Sequence, residues 1–403
     1  MSSSSSLPSP NLTRREASLA LLASPLLAAF SPWPDNTSKS RVLAFVESMR
    51  DPKVHPDAYH YARSSPKPVL YASCYAALTR DLFGDLARLT KAQRAGWIEY
   101  LNSFQSSDGL YRDPLLQSKL ADEADWWGWR HLTSHVYWSL TALGGTPRIL
   151  PAWLDPVMTR AGLKRWLDSL DWGKGVADSS NIIMNWGVGL LYAADVHHDR
   201  HAGEMATVLL DELDARARPE TGLWGPEQST DYSPEIWRSL RVQTAYHLWL
   251  LYSYRERKPP NISRATAVVL VTQNPRGGFG WGVHNPQHPF DGSACEDIDS
   301  IDPLARFARF SPELSGRITG ELHKARPWVQ SNFDSRGGAV FCKGEPFAYG
   351  HPLMTTGPGE PTLFATWFRM LSIAFIDAGV GQGKWRFVNA PGCQQYSPKF
   401  SAA

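Results

Sequence analysis

Two kinds of helical pattern alternate along this chain, and that alternation limits its fold more than any single motif does. Six segments read as amphipathic helices with a charged face, near residues 38–50, 91–104, 152–171, 201–217, 260–273 and 311–331. Between them lie six segments that are less charged and more apolar. These begin near Ser73, Thr133, Asn181, Arg241, Glu296 and Pro361. Successive starts are 60, 48, 60, 55 and 65 residues apart, which suits a helical hairpin with its connections rather than a short solenoid repeat. No run carries the period of two that a sheet needs. A helix that is apolar all round must be covered, and one with a charged face can cover it. Six of each predict an all-α fold, an (α/α)6 toroid with the apolar helices inside and the polar ones around them.

The loops that join the two kinds of helix repeat a signature. Gln105-Ser-Ser-Asp-Gly109-Leu-Tyr111 is one copy, Arg218-Pro-Glu-Thr-Gly222-Leu-Trp224 a second and Gln273-Asn-Pro-Arg-Gly277-Gly-Phe279 a third. Asp334-Ser-Arg-Gly337-Gly338-Ala-Val-Phe341 is a looser fourth. Glycine supplies a left-handed helix cap, and the aromatic residue after it folds back onto the helix end. The preceding Gln is placed to reach the last open carbonyls. These loops resemble the QW repeats of squalene–hopene and related triterpene cyclases, and the Gly-Gly-Phe-Gly loops of protein prenyltransferase β subunits. The resemblance covers about residues 70 to 380. It implies the same toroid.

One stretch occurs once only. Glu296, Asp297, Asp299 and Asp302 place four carboxylates within seven residues at the start of an apolar helix. Close carboxylates raise one another's pKa, which a general acid needs, whereas a helix N-terminus stabilises the anion. Asp302-Pro303 also reads as an N-cap and first helical residue, which would leave 296–299 in the preceding loop. A purely structural set of caps is the alternative, and four carboxylates exceed what capping requires. The toroid cyclases carry Asp-x-Asp-Asp at this place. By that resemblance Asp299 is the acid and Asp297 its flanking carboxylate, with Ser300 standing where the motif has its last Asp.

Other polar groups sit at the starts of apolar helices, where a toroid would turn them into its cavity. His131, His135 and Tyr137 mark the second, Asn181, Asn185 and Trp186 the third, and Arg238, Arg241, Gln243 and His247 the fourth. Of these, His135, Tyr137, Asn185, Trp186, Arg241 and His247, together with Trp281 of the third loop copy, are expected to bind substrate. Each alone is more often a satisfied core group. The loop of Asp122, Glu123 and Asp125 with Trp126, Trp127 and Trp129 could lid the cavity or stack a sugar. His197, His198 and His201 read as a solvated turn. Cys295 and Asp297 reverse the order of the prenyltransferase zinc ligands, so neither a metal nor another cofactor is expected.

Residues 1–34 read as a leader. Arg14-Arg15 precedes an apolar run from Ala17 to Phe30, too short for a bilayer but fitting a twin-arginine export signal; without that signal the chain would be cytoplasmic. The toroid is assigned to 35–385 and an irregular tail, running over the surface, to 386–403. A formal net charge of +2 argues against a nucleic-acid partner. No later run would span a membrane, which leaves peripheral membrane contact open.

The 17 Trp, 14 Tyr and 16 Phe supply aromatic faces that stabilise cations or stack sugars. The leading expectation is therefore a terpene-cyclase-like enzyme, using the Asp cluster as acid in an aromatic-lined cavity on a small molecule. Exported (α/α)6 polysaccharide lyases or glycoside hydrolases, acting on an oligosaccharide, are the alternative. A non-catalytic ligand-binding toroid is a third, and it expects solvated carboxylates.

Overall fold

The computed structural model describes residues 36–397. The leader and its export reading lie outside the described residues. The described chain is mostly α-helical. It runs through α1 (Lys39–Ser48), α2 (Leu70–Leu82), α3 (Lys91–Asn102), the short α4 (Lys119–Glu123) and α5 (Trp129–Leu143). It continues through α6 (Arg160–Ser169), α7 (Val176–Asp195), α8 (Arg200–Arg216) and α9 (Pro234–Tyr254). Last come α10 (Ile262–Leu270), α11 (Ala294–Phe307), α12 (Ser315–Gln330) and α13 (Leu363–Gly379). Among the described residues the sheet content is one hairpin, in which β1 (Phe347–Ala348) pairs antiparallel with β2 (Thr355–Thr356). No described helix is long and apolar enough to cross a membrane.

Each expected helical segment holds a helix, and the local signals explain the boundaries. Ser233 caps α9 and Pro234 occupies its first turn, so that helix starts before Arg241. In α13 every residue from Leu363 to Asp377 is buried, as a helix apolar all round requires. In α6 only Gly162, Leu163 and Leu167 are buried, a narrow stripe one helical turn long. Residues 152–157, expected to extend α6, form a separate 3-10 turn containing Pro156.

The apolar helices touch one another in a cycle. α2 packs on α5, α5 on α7, α7 on α9, α9 on α11, α11 on α13, and α13 returns to α2. The polar helices lie against them: α1 on α2, α3 on α5, α8 on α7, α10 on α9 and α11, and α12 on α11 and α13. α6 packs on α8.

The repeated loops hold these pairs together. Gly109, Gly222, Gly277 and Gly337 all have positive φ. At Gly277 (φ 91°) an added Cβ would also press on the Lys324 carbonyl of α12, so the turn needs glycine twice over. Tyr111 and Trp224 fold back as expected, their side chains donating to Asn102 at the end of α3 and to the Leu213 carbonyl of α8. The glutamines act differently from expectation. Gln273 donates to the Glu321 carbonyl of α12 at 2.8 Å rather than to its own helix end, so it ties one polar helix to the next.

The described part of the tail, residues 386–397, does not simply run over the surface. Val388, Ala390, Cys393, Gln394, Gln395 and Tyr396 are buried. Its backbone carbonyls and amides supply hydrogen bonds that the apolar helices could not make among themselves. Trp138 of α5 donates to the Pro391 carbonyl, Trp367 of α13 to Gln395 Oε1, and Arg306 of α11 to the Tyr396 carbonyl.

Candidate functional site

The N-terminal halves of α5, α7, α9, α11 and α13 surround a cavity of about 390 Å³. Its apolar wall is formed by Trp126, Phe341, Phe347, Tyr349, Phe364 and Phe368. Its polar groups are His131, Ser180, Asn181, Gln243, His247 and Asp299, with Asp178 and His284 exposed at the mouth. Gln394 of the tail bounds it as well.

Helix α11 explains how one acidic run yields groups with different fates. Ser293 caps it in a capping box: Ser293 Oγ accepts from the Glu296 amide, and Glu296 accepts from the Ser293 amide at 2.9 Å. Glu296 also accepts from the Val283 amide at 3.0 Å, so it serves the helix end and the loop beside it. With the cap at Ser293, Asp302 is not an N-cap. It lies inside the helix, fully buried and paired with Arg306 one turn on. Burial still raises the Asp302 carboxyl to about 6 against the pull of that arginine.

Asp297 and Asp299 diverge because two helical residues turn the side chain by roughly 200°. Asp297 faces away from the cavity. It accepts from the Phe279 amide and the Trp328 indole, each at 2.8 Å, and pairs with the fully buried Arg369. The loop repeats account for this post. Thr133 Oγ1 accepts from the Tyr111 amide, and Thr366 Oγ1 from the Ala339 amide, each at 2.9 Å. Asp297 holds the third loop copy as those threonines hold the first and fourth. It is an anchor, and the expectation that it faces the cavity is corrected.

Asp299 shares the cavity face with Cys295, one turn earlier. It is buried, and among the described residues it makes no hydrogen bond or ion pair. Burial pushes its carboxyl well above the usual range, and the charges of Asp302 and Glu296 add to the effect. Its distance from the helix N-terminus leaves the dipole little to oppose this. The Cys295 thiol is also pushed up by burial, so it is not poised as a thiolate nucleophile.

Two imidazoles also line the cavity, and their tautomers follow from their neighbours. Tyr71 donates its only hydroxyl proton to the Trp127 carbonyl at 2.8 Å, and lies 3.1 Å from His131 Nδ1. The proton of that second bond therefore belongs to His131 Nδ1, and Nε2 carries a lone pair. Ser180 likewise donates to the Ala177 carbonyl at 2.7 Å and lies 3.0 Å from His247 Nδ1. His247 Nε2 is then also a free base. Neither Nε2 has a hydrogen-bond partner among the described residues. Burial lowers both pKa values, His247 to about 4, and so keeps these bases neutral.

The other expected ligand-binding residues lie elsewhere. His135 sits one turn behind His131, ring centroids 4.5 Å apart, and donates to the His131 carbonyl. It is enclosed by Tyr71, Tyr75, Trp138 and Trp367. Tyr137 packs on Tyr192 and Tyr111, away from the cavity. Asn185 binds Ser134 and Asp125, which ties the tryptophan loop to α7. Trp186 packs edge-to-face with Trp153 and tilted against Trp166. Arg241 donates to Trp224 and Thr221 of the second loop copy. Trp281 faces a separate surface groove with Gln273, Arg317 and Lys324. Of the eleven expected site residues only Asp299 and His247 line the cavity.

The sequence reading missed Tyr71, Phe347, Tyr349, Phe364 and Phe368. They carry no motif of their own, but Tyr71 shares the N-terminal rim position that singled out His131. Comparison with family models, with curated proteins and with solved structures gives no match.

Proposed function

We propose that this chain is an acid-catalysed isomerase or cyclase of the terpenoid-cyclase type, on an (α/α)6 toroid whose centre is the cavity. The cyclic order of apolar helix contacts and the repeated loops support the toroid. One observation carries the activity: a buried, unpartnered carboxyl, Asp299, faces a cavity walled by aromatic rings.

In this reading Asp299 gives its proton to a double bond of the substrate. The Asp299 O–H bond breaks and a C–H bond forms, leaving a carbocation. The aromatic faces stabilise that cation, and the lost water prevents its capture. A neighbouring C–H proton then leaves to Nε2 of His131 or His247, and a new double bond forms. The substrate is isomerised with no net gain or loss of atoms. The proton returns from the imidazolium to the Asp299 carboxylate between turnovers.

A lyase acting on acidic sugars fits less well. Such substrates need a cation, and no Lys or Arg is among the described residues lining the cavity. A non-catalytic toroid would leave its carboxylates solvated, whereas all four here are buried.

The test is turnover by Asp299→Asn against a panel of isoprenoid alkenes and epoxides, with product analysis in deuterated water. A positioned general acid contributes about 10²- to 10⁴-fold, so turnover should fall by that factor. Wild-type product should carry one deuterium at the protonated carbon. An Asn variant that turns over at the wild-type rate overturns the reading.

A further inference from the structure

The polarity and size of the cavity narrow what it can hold. No arginine or lysine is among the described residues that line it, and the buried Arg369 is committed to Asp297 and to the Gly292 and Phe341 carbonyls. His131 and His247 face it through unprotonated nitrogens, by the tautomers that Tyr71 and Ser180 impose. An anionic ligand would meet lone pairs and lose its hydration without an opposite charge, which is costly. A cation would find one carboxyl at the mouth, Asp178, and inside only Asp299, whose burial favours the neutral form. A sugar could stack on the aromatic wall, but the hydroxyls of a disaccharide outnumber the polar side chains His131, Ser180, Asn181, Gln243, His247 and Asp299 that could pair with them.

Size sets a second limit. An apolar cavity of ~150 Å³ takes one benzene, so by proportion 390 Å³ takes about fifteen non-hydrogen atoms.

We infer that the cavity binds an uncharged, largely apolar molecule of about fifteen non-hydrogen atoms or fewer, with a single hydrogen-bonding or unsaturated group set between Asp299, His131 and His247. Diphosphate esters, carboxylates, sugars and long polyisoprenes such as squalene are outside this class. The inference rests on the acid-enzyme reading for the role of that group, but the binding it describes does not need catalysis.

Titration calorimetry on the full chain at neutral pH tests it with 1-decanol, decanoate, decylammonium and cellobiose. Decanol should bind, and both charged probes should bind at least about tenfold more weakly. Cellobiose should not bind. In a series of straight-chain alcohols, affinity should rise about fourfold per added methylene and stop rising once the cavity is full. Ala348→Trp, at an exposed position on β1 that lines the mouth, should abolish decanol binding without touching the core. Thr244→Phe fills the opposite wall and checks the location. Decanoate binding as tightly as decanol, no decanol binding, or binding that survives both substitutions would each overturn the inference. Decanol binding is measured on Asp299→Asn as well. If decanol binds but Asp299→Asn keeps full turnover, the acid reading fails alone. If turnover depends on Asp299 but decanol does not bind, the ligand class fails alone.

Discussion

Asp297 and Asp299 show how one side-chain chemistry takes two roles two residues apart. Asp297 is saturated by an arginine and two N–H donors, so removing its charge strands Arg369 in the core. Asp297→Asn is expected to cost about 3–5 kcal/mol, read from urea unfolding. Among the described residues Asp299 has no partner to lose. Its raised pKa means that the folded chain holds a proton which the unfolded chain releases near pH 3.8. Stability from this group is full below that pH and is lost as pH rises through the folded value. Asp299→Asn should therefore match the wild type in acid and melt higher than the wild type above neutrality. The buried imidazoles act in the opposite sense. His135 is held down to about 4 from 6.5, so the unfolded chain binds more protons between those values and stability is lost as pH falls across them. Asp302, raised to about 6, partly offsets this in the wild type. Replacing His135 isolates the effect. The stability of His135→Phe relative to wild type should rise by about 1.4 kcal/mol per pH unit as pH falls from 6.5 to 4.

At the scale of the element, α11 is set by its cap. Ser293 and Glu296 satisfy each other's amides, and Glu296 reaches on to the Val283 loop. Gly280 (φ 88°) is part of the same joint, since a Cβ there would strike the Glu296 carboxylate. This joint fixes the rotation of α11, and that rotation decides which carboxylate faces the cavity. Ser293→Ala should cost about 1–2 kcal/mol in chemical denaturation. It should also lower turnover more than a surface cap loss of equal cost, because Asp299 rides on the same helix.

Over the whole molecule the C-terminal segment joins what the helix cycle leaves open. Arg386 pairs with Asp81 of α2 at 2.8 Å, and a Cβ on Gly392 would meet Val188 of α7 and Leu251 of α9. With Trp138, Arg306 and Trp367, the segment thus reaches all six apolar helices. Removing residues 386–403 should leave most far-UV helix signal but abolish the cooperative thermal transition and the near-UV signal of the buried tryptophans. A truncated chain that melts cooperatively at the wild-type temperature would show the segment to be dispensable.

Helix number and alternation were legible from local pattern, because burial on one face or on all faces is written in residue periodicity. The turns were legible because a left-handed backbone selects glycine. The acidic run was legible as unusual, but its division of labour was not. That division depends on the rotation of α11, set by Ser293, and on Arg369, which lies 72 residues from its partner along the chain. Arg369 reads in sequence as one charge in an apolar helix and gains meaning only beside Asp297. The tail showed no periodicity because it forms no element, and its burial depends on acceptors that side chains of α5, α11 and α13 require. His131 was visible as a rim histidine, but its free nitrogen depends on Tyr71 of α2, whose proton is claimed by the Trp127 carbonyl just ahead of α5. Local chemistry sets which elements form and where they turn. Which buried polar group is satisfied, and which is left open to a ligand, is decided only when distant partners meet.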